Sequence, residues 1–287
     1  MAAQAEAVRG AGGAAALGDA EFRYIARLVA ERTGIVLHEG KRELVYSRLS
    51  RRLRRLGLGS FRAYCQRLKA GDEEEVHALI NALTTNLTAF FREPHHFDFL
   101  AREALPALTA GRPSGTLRVW SAGCSTGEEP YSLAMVLAES LPPGWDWRIL
   151  ATDLDTEVLA QAEAGIYPME RVGPVSEARR RRFLVRGRGP RAGQVKVVEA
   201  LRRRIDFRRL NLVEAWPVRG PFDVIFCRNV VIYFDKATQR RIFEGFAARQ
   251  RPGAFLFIGH SETLFGVSRA YERVGNTVYR RRREEGA

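Results

Sequence analysis

Apolar residues recur at helical spacing through the first third of the chain and at strand spacing through most of the remainder. Asp19 precedes a run in which Phe22, Ile25, Ala26 and Val29 share one helical face, ending near Thr33-Gly34. KRELVYSRLSRRLRRL at 41–56 predicts a second helix, stopped by Gly57 and Gly59. Ser60 caps a third, with Phe61, Tyr64, Cys65 and Leu68 inward, and Glu73 to Leu83 makes a fourth. Residues 19–84 therefore read as a small all-helical domain. From about residue 116, short β-runs at 117–121, 148–152, 204–207, 222–227 and 254–259 alternate with helical stretches. That alternation predicts a mostly parallel sheet with helices on both faces. VGNTVYRRR adds one more edge strand. The rhythm breaks at RFLVRGRGPRAGQVKVVEA, where two alternating runs flank a Gly/Pro turn. An inserted β-hairpin subdomain is expected at about 182–202. It serves either to dock a peptide by strand addition or as a locally packed connection.

The turn after the first β-run carries the richest chemistry. Residues 117–135, LRVWSAGCSTGEEPYSLAM, form a strand, a Gly-bounded turn and a helix start. Such a turn presents free backbone N–H groups at the carboxyl edge of a sheet, where open α/β folds bind ligands. A dinucleotide loop wants G-x-G-x-x-G, but only Gly123 and Gly127 are present, and Glu128 and Glu129 would repel a pyrophosphate. Gly123-Cys124-Ser125-Thr126-Gly127 also fits the G-x-S-x-G nucleophile elbow of an α/β-hydrolase, with Ser125 as nucleophile and His260 in FLFIGHSE as base. The strands expected upstream of an elbow are missing, since residues 19–83 are helical. The third reading is a nucleoside bearing a sulfonium and an amino group, for which carboxylates beside the loop are an asset. Downstream, WRILATDLDTEVLAQA puts Asp153 at the end of the next strand. An acid there accepts both ribose hydroxyls. One helix, 129–141, fits between the two strands, closed by Pro142-Pro143-Gly144.

Composition narrows the setting. A chain of 287 residues with 46% hydrophobic and 10% aromatic content is globular and long enough for two domains. Its net charge is +13, but all except four of the 46 basic residues are arginine. Genome composition imposes skews of this kind, which dilutes any nucleic-acid inference from charge alone. Cys65, Cys124 and Cys227 lie far apart without a C-x-x-C, consistent with a reduced, cytoplasmic setting. Residues 1–18, rich in Ala and Gly, are expected to be a disordered tail rather than a signal peptide. No run of 18 apolar residues occurs, so membrane insertion is not expected.

On a wheel of the second helix, Lys41, Arg48, Arg51, Arg52 and Arg55 fall in one arc beside the apolar arc of Val45, Leu49, Leu53 and Leu56. Glu43 is almost the only acid nearby in sequence, so the stripe is read as unpaired. It should attract an acidic partner, either a phosphate backbone or a carboxylate-rich protein surface.

TTNLTAFFREPHHF at 84–97 joins these segments. With RVWSAGCSTGEEPYSLA, ATDLDTEVL, FDVIFCRNVVIYFD and FLFIGHSE, in that order, it resembles the CheR family of chemotaxis receptor glutamate methyltransferases over about residues 20–282. The resemblance implies a Rossmann-like S-adenosyl-methionine-dependent methyltransferase sheet over 85–287, an α/β fold beside the helical domain. It implies S-adenosyl-methionine as donor, S-adenosyl-homocysteine as product, and no metal. Asn86, Thr88 and Arg92 match the cofactor-contacting segment, Arg92 being suited to clamp the methionine carboxylate. Glu128 should take the cationic end of the methionine, Asp153 the ribose, and Asn211 with Leu212 the border of the adenine. Arg228 and Asn229 should line the transfer site, Arg228 orienting the acceptor carboxylate, and Tyr233 should lie near it. On the residues alone, Asn211 reads equally as a turn cap and Tyr233 as a core aromatic. The implied partner is the cytoplasmic helical bundle of membrane chemoreceptors, met by Arg48, Arg51, Arg52 and Arg55, with a receptor tail peptide at the hairpin; no nucleic acid is expected. His95 and His96 have no carboxylate or cysteine ligand at suitable spacing and are expected to be structural.

Overall fold

The computed structural model describes residues 16–283, which form two compact units, one ending at Thr85 and one beginning at Asn86. Most of the Ala/Gly tail lies outside the described residues.

The first unit holds four helices: α1 (Asp19–Thr33), α2 (Arg42–Leu56), α3 (Phe61–Lys69) and α4 (Glu73–Leu83). Phe22, Ile25, Val29, Val45, Leu49, Leu53, Phe61, Tyr64, Leu68, Val76 and Leu79 are buried at the helical spacing the sequence displays. Ser60 caps α3 through Ala63 N, and Asp72 caps α4 through Glu75 N. At α1 the cap is Gly18. Asp19 is instead the first helical residue, where its carboxylate suits the helix dipole and reaches Arg42.

The arginine stripe of α2 is not unpaired, and this corrects the wheel reading. Arg52 grips both carboxylate oxygens of Glu75 on α4 at 2.9 and 2.6 Å, and Glu75 is 1% exposed. Arg48 turns onto the carbonyls of Ala82 and Thr84 at the end of the same helix. A wheel drawn on one helix cannot see an acid supplied by another. Arg51 and Arg55 remain exposed. Breaking a buried pair leaves an uncompensated charge. Arg52→Ala should therefore cost about 3–5 kcal/mol in urea denaturation, against under about 0.5 kcal/mol for Arg51→Ala or Arg55→Ala.

The second unit begins with a continuous helical stretch: α5 (His95–Phe99), a π-helical segment (Leu100–Ala104) and α6 (Leu105–Thr109). There follow β1 (Gly115–Ala122), α7 (Glu128–Ser140), β2 (Trp145–Asp153), α8 (Thr156–Ala164), β3 (Ile166–Pro168), α9 (Glu177–Phe183), β4 (Leu184–Arg186), β5 (Gln194–Val197) and α10 (Glu199–Arg202). The chain closes with β6 (Ile205–Arg209), β7 (Phe222–Cys227), α11 (Lys236–Ala247), β8 (Gln250–Ile258), β9 (Tyr271–Gly275) and β10 (Val278–Arg281).

Seven of these strands make one sheet in the order β6-β2-β1-β7-β8-β10-β9. The first five run parallel, and β10 is antiparallel to both neighbours. Successive residues point to opposite faces, so Val224 and Phe226 join one core cluster with α7 while Ile225 and Cys227 join the other with α11. Burial on both faces explains why FDVIFC and FLFI are unbroken apolar runs. The chain leaves β1 for β2 and β6 on one side and returns to β7 on the other, so the strand order reverses at β1. Ligands of open α/β sheets bind at such a point, beyond the carboxyl ends of the strands.

Two boundaries differ from the sequence reading. VGNTVYRRR is not a single edge strand: it contributes the end of β9, a turn at Asn276-Thr277 and β10, leaving β9 at the edge. The insert is three-stranded, in the order β3-β5-β4, because Ile166–Pro168 pairs with β5 well before residue 182. A three-residue strand shows no usable alternation.

Candidate active site

The loops that follow β1, β2, β7 and β8 build the site. After β1, the Gly123 and Cys124 N–H groups both donate to the Thr152 carbonyl, tying the turn to β2. Gly123 has φ +89°, and a Cβ there would lie 2.3 Å from Val230 Cγ2. Gly127 has φ +95°, and its Cβ would meet Tyr167 Oη and Ala162. Both glycines are therefore required by backbone conformation and by close approach.

Ser125, at φ +48°, donates its N–H to Asp153 Oδ2 at 2.8 Å and its hydroxyl to the Asn86 carbonyl at 3.0 Å. The other oxygen of Asp153 accepts the Asp155 N–H at 3.0 Å. Burial raises the Asp153 pKa, and these backbone donors partly offset it. Asp155 caps α8 and accepts Asn86 Nδ2 at 2.7 Å. Asn86, Ser125, Asp153 and Asp155 thus form one connected corner. Each Asp153 oxygen takes a backbone N–H and retains a lone pair, which matches the two hydroxyls of a ribose.

At the end of β7 lies a buried cation. Arg228, 6% exposed, donates to Glu129 Oε2 at 3.2 Å and to the Arg92 carbonyl, and sits 3.4 Å from Glu93 Oε2. Glu129 also accepts the Ser121 hydroxyl at 2.7 Å; burial raises its pKa, with Arg228 opposing. Glu93 adopts φ +57° and takes His260 Nδ1 at 3.0 Å on its other oxygen. Burial alone would raise the Glu93 pKa, but the His260 hydrogen bond and the Arg228 charge bring it down to about 2. Burial, then Arg228, push His96 down to about 3. The Arg228 guanidinium is thus engaged through both terminal nitrogens, while its Nε has no hydrogen-bond partner among the described residues.

A second acid shapes the β7 loop. Glu262, 6% exposed, accepts backbone N–H groups from Gly259, Asn229, Val230, Val231 and Ile232 at 2.6–3.3 Å. That carboxylate fixes Asn229 and the 3-10 turn Val231–Tyr233, on which half-buried Tyr233 sits. Sequence reasoning missed Glu262, although a Gly-His-Ser-Glu run closing an apolar strand was the available signal.

The remaining expected residues fall as follows. Arg92 is half-buried and donates to the Leu87 carbonyl at 2.7 Å, with Thr88 half-buried in the same segment. Glu128 is wholly buried; it accepts the Thr126 hydroxyl at 2.6 Å and pairs with Arg171 of the β3 region. Asn211 caps a turn, accepting Val213 N–H and donating to Glu214, as its alternative reading had it. Leu212 packs in the core with Trp216. Ser125 and His260 are engaged separately, and among the described residues no interaction joins them, so the hydrolase elbow is not assembled. Glu93 does stand at ligand spacing to His95 and His96, their donor atoms lying within 4.8 Å of one another. The sequence reading that found no carboxylate there is corrected.

A doubly covered open sheet, a glycine turn after its central strand and an acid ending the next define the class of nucleoside-binding open α/β sheets. The comparisons agree. Residues 86–280 match the family model described as "CheR methyltransferase, SAM binding domain", and residues 20–84 match "CheR methyltransferase, all-alpha domain". The chain is 49% identical over 268 residues to a "Chemotaxis protein methyltransferase" of Salmonella typhimurium, covering 92% of this chain and 91% of that one. It is 50% identical over 264 residues to "Chemotaxis protein methyltransferase 2" of Pseudomonas aeruginosa, covering 90% and 92%. The chain belongs to the CheR methyltransferase family and carries its S-adenosyl-methionine-binding domain. No helix among the described residues is long and apolar enough to cross a membrane.

The depressed Glu93 pKa fixes a pH dependence. The carboxyl ionises at about 2 when folded against 4.5 when unfolded. Its contribution to stability is therefore complete above pH 4.5 and lost as pH falls towards 2. Denaturation midpoints taken through that window should fall more steeply for wild type than for Glu93→Gln, and parallel curves would contradict the assignment.

Proposed function

We propose that this chain transfers the methyl group of S-adenosyl-methionine to glutamate side chains in the cytoplasmic helical bundles of membrane chemoreceptors, acting in the cytoplasm. The observation that carries the cofactor half is Asp153, whose two oxygens each keep a lone pair beside the β1 turn. The acceptor half is supported by the relatives' description as chemotaxis methyltransferases. Glu129 and Glu93 are tied to Arg228, and His260 to Glu93, so the acids and the histidine nearest this site are committed. A glutamate acceptor suits that arrangement. With a pKa of about 4.3 it is ionised near neutral pH and needs no base.

In this reading Asp153 receives the ribose, and Arg92 pairs with the methionine carboxylate from the segment that also holds Asn86 and Thr88. Glu128 faces the methionine ammonium, which takes over the place of the Arg171 guanidinium. Asn211 and Leu212 border the adenine through their backbone, since both side chains are otherwise occupied. Arg228 organises Arg92, Glu93 and Glu129, leaving Asn229 and Tyr233 to meet the acceptor. The chemical task is alignment: carboxylate oxygen, methyl carbon and sulfur in line, with reacting atoms about 3–3.5 Å apart. The sulfonium charge is consumed as the carboxylate charge is, so a site shielded from water favours the step.

Receptor docking falls to the exposed Arg51 and Arg55, with Arg48 and Arg52 committed at least in part to their own domain. A receptor tail peptide would add to the β4 edge of the small sheet, where Val185 is 59% exposed.

Incubation with labelled S-adenosyl-methionine and receptor-bearing membranes should give label released by mild base, as for a carboxyl methyl ester; base-stable label would contradict the reading. Asp153→Ala should weaken cofactor binding about tenfold or more by calorimetry. Arg51→Glu with Arg55→Glu should slow receptor methylation most at low salt and leave cofactor affinity unchanged.

A further inference from the structure

We propose that Glu93, His95 and His96 form a binding site for one zinc-class divalent cation. The chain has five histidines, and three of them, His95, His96 and His260, converge on the single carboxylate of Glu93. Glu93 Oε2, His95 Nε2 and His96 Nδ1 are all buried without a hydrogen-bond partner, and His96 is 0% exposed. Buried polar atoms are rarely left so, and of the three, Glu93 Oε2 has a cation near it, Arg228 at the ion-pair distance of 3.4 Å; a shared metal ion would complete all three.

The two ring nitrogens of His96 face different partners. Its Nε2 faces the Asn276 carbonyl at 3.3 Å, which can only accept, and Thr277 Oγ1 at 2.8 Å, whose own hydrogen goes to that carbonyl. Its Nδ1 lies 3.4 Å from Glu93 Oε2, and in the tautomer protonated at Nε2 it presents a lone pair there. In that tautomer two lone pairs face each other, and a cation between them turns the repulsion into a pair of bonds. Tetrahedral zinc, with bonds of about 2.0–2.2 Å to nitrogen and oxygen, sets neighbouring donors about 3.3–3.5 Å apart. The Glu93–His96 edge already has that length, and His95 offers a ring nitrogen within 4.8 Å of a donor atom of each of the other two residues. A modest rotation of His95 closes the third edge, and water completes the shell.

The surroundings fit a metal ligand set. His96 is oriented by a backbone carbonyl behind it and Glu93 by His260 on its other oxygen, the usual supports of ligating imidazole and carboxylate. Two imidazoles and one carboxylate favour zinc-class ions over magnesium or calcium, which prefer all-oxygen sites. Glu93 brings its carboxylate to the two imidazoles, with Glu129 facing Arg228 from the other side. Glu93 Oε2 also lies 3.4 Å from Arg228, so ion and guanidinium compete for it.

The test is cobalt titration of the chelator-treated full-length protein. One Co2+ per chain should bind with the visible bands of a tetrahedral N/O site, and Zn2+ should displace it. His95→Ala, or His95→Gln should the alanine variant misfold, should weaken Zn2+ binding at least tenfold by calorimetry with the far-ultraviolet circular dichroism unchanged. Absence of stoichiometric binding, or affinity unaffected by loss of His95, would overturn the proposal.

Discussion

The arrangement of the active site rests on one buried guanidinium. Arg228 leaves the carboxyl end of β7 at 6% exposure, and a charge so placed is tolerable only if paired and hydrogen-bonded. Its partners come from two separate stretches: Glu129 at the start of α7, and Glu93 with the backbone of Arg92 ahead of α5. Satisfying one cation thus brings the segment 86–96, the turn after β1 and the loop after β7 to the same place. The left-handed φ of Phe91 and Glu93 is a cost borne so that the carboxylate and the Arg92 carbonyl can both face it.

The same solution recurs with the signs exchanged. Loops at the end of a parallel sheet leave backbone N–H groups without strand partners. Here carboxylates collect them: Asp153 takes Ser125 and Asp155, Asp155 takes the first turn of α8, and Glu262 takes five donors around β7 and β8. Acids that look like a candidate catalytic cluster in the sequence are in large part loop fasteners. Asp153 is the one whose remaining lone pairs suit it to hold a ligand as well.

Much of this was legible in the chain, for physical reasons that differ by element. The parallel strands showed as unbroken apolar runs because both faces are covered, and the four N-terminal helices as periodic stripes with Ser60 and Asp72 as caps. The β1 turn showed because glycines with positive φ are hard to replace. What stayed hidden depends on partners remote in sequence. Arg52 looked free because Glu75 lies on another helix, the partners of Arg228 did not show because Glu93 and Glu129 are more than ninety residues away, and β3 is too short to alternate. Glu262 was hidden because an acid that binds only backbone has no partner a sequence can name.

Glu262 also sets how the β7 loop comes apart. Five amides share one acceptor group, so none can be released separately while the carboxylate keeps its position. Opening is then a single cooperative event rather than gradual fraying, and the segment from Asn229 to Ile232 behaves as one foldon. Its amides share a common opening free energy, and Tyr233 keeps or loses its placement together with them.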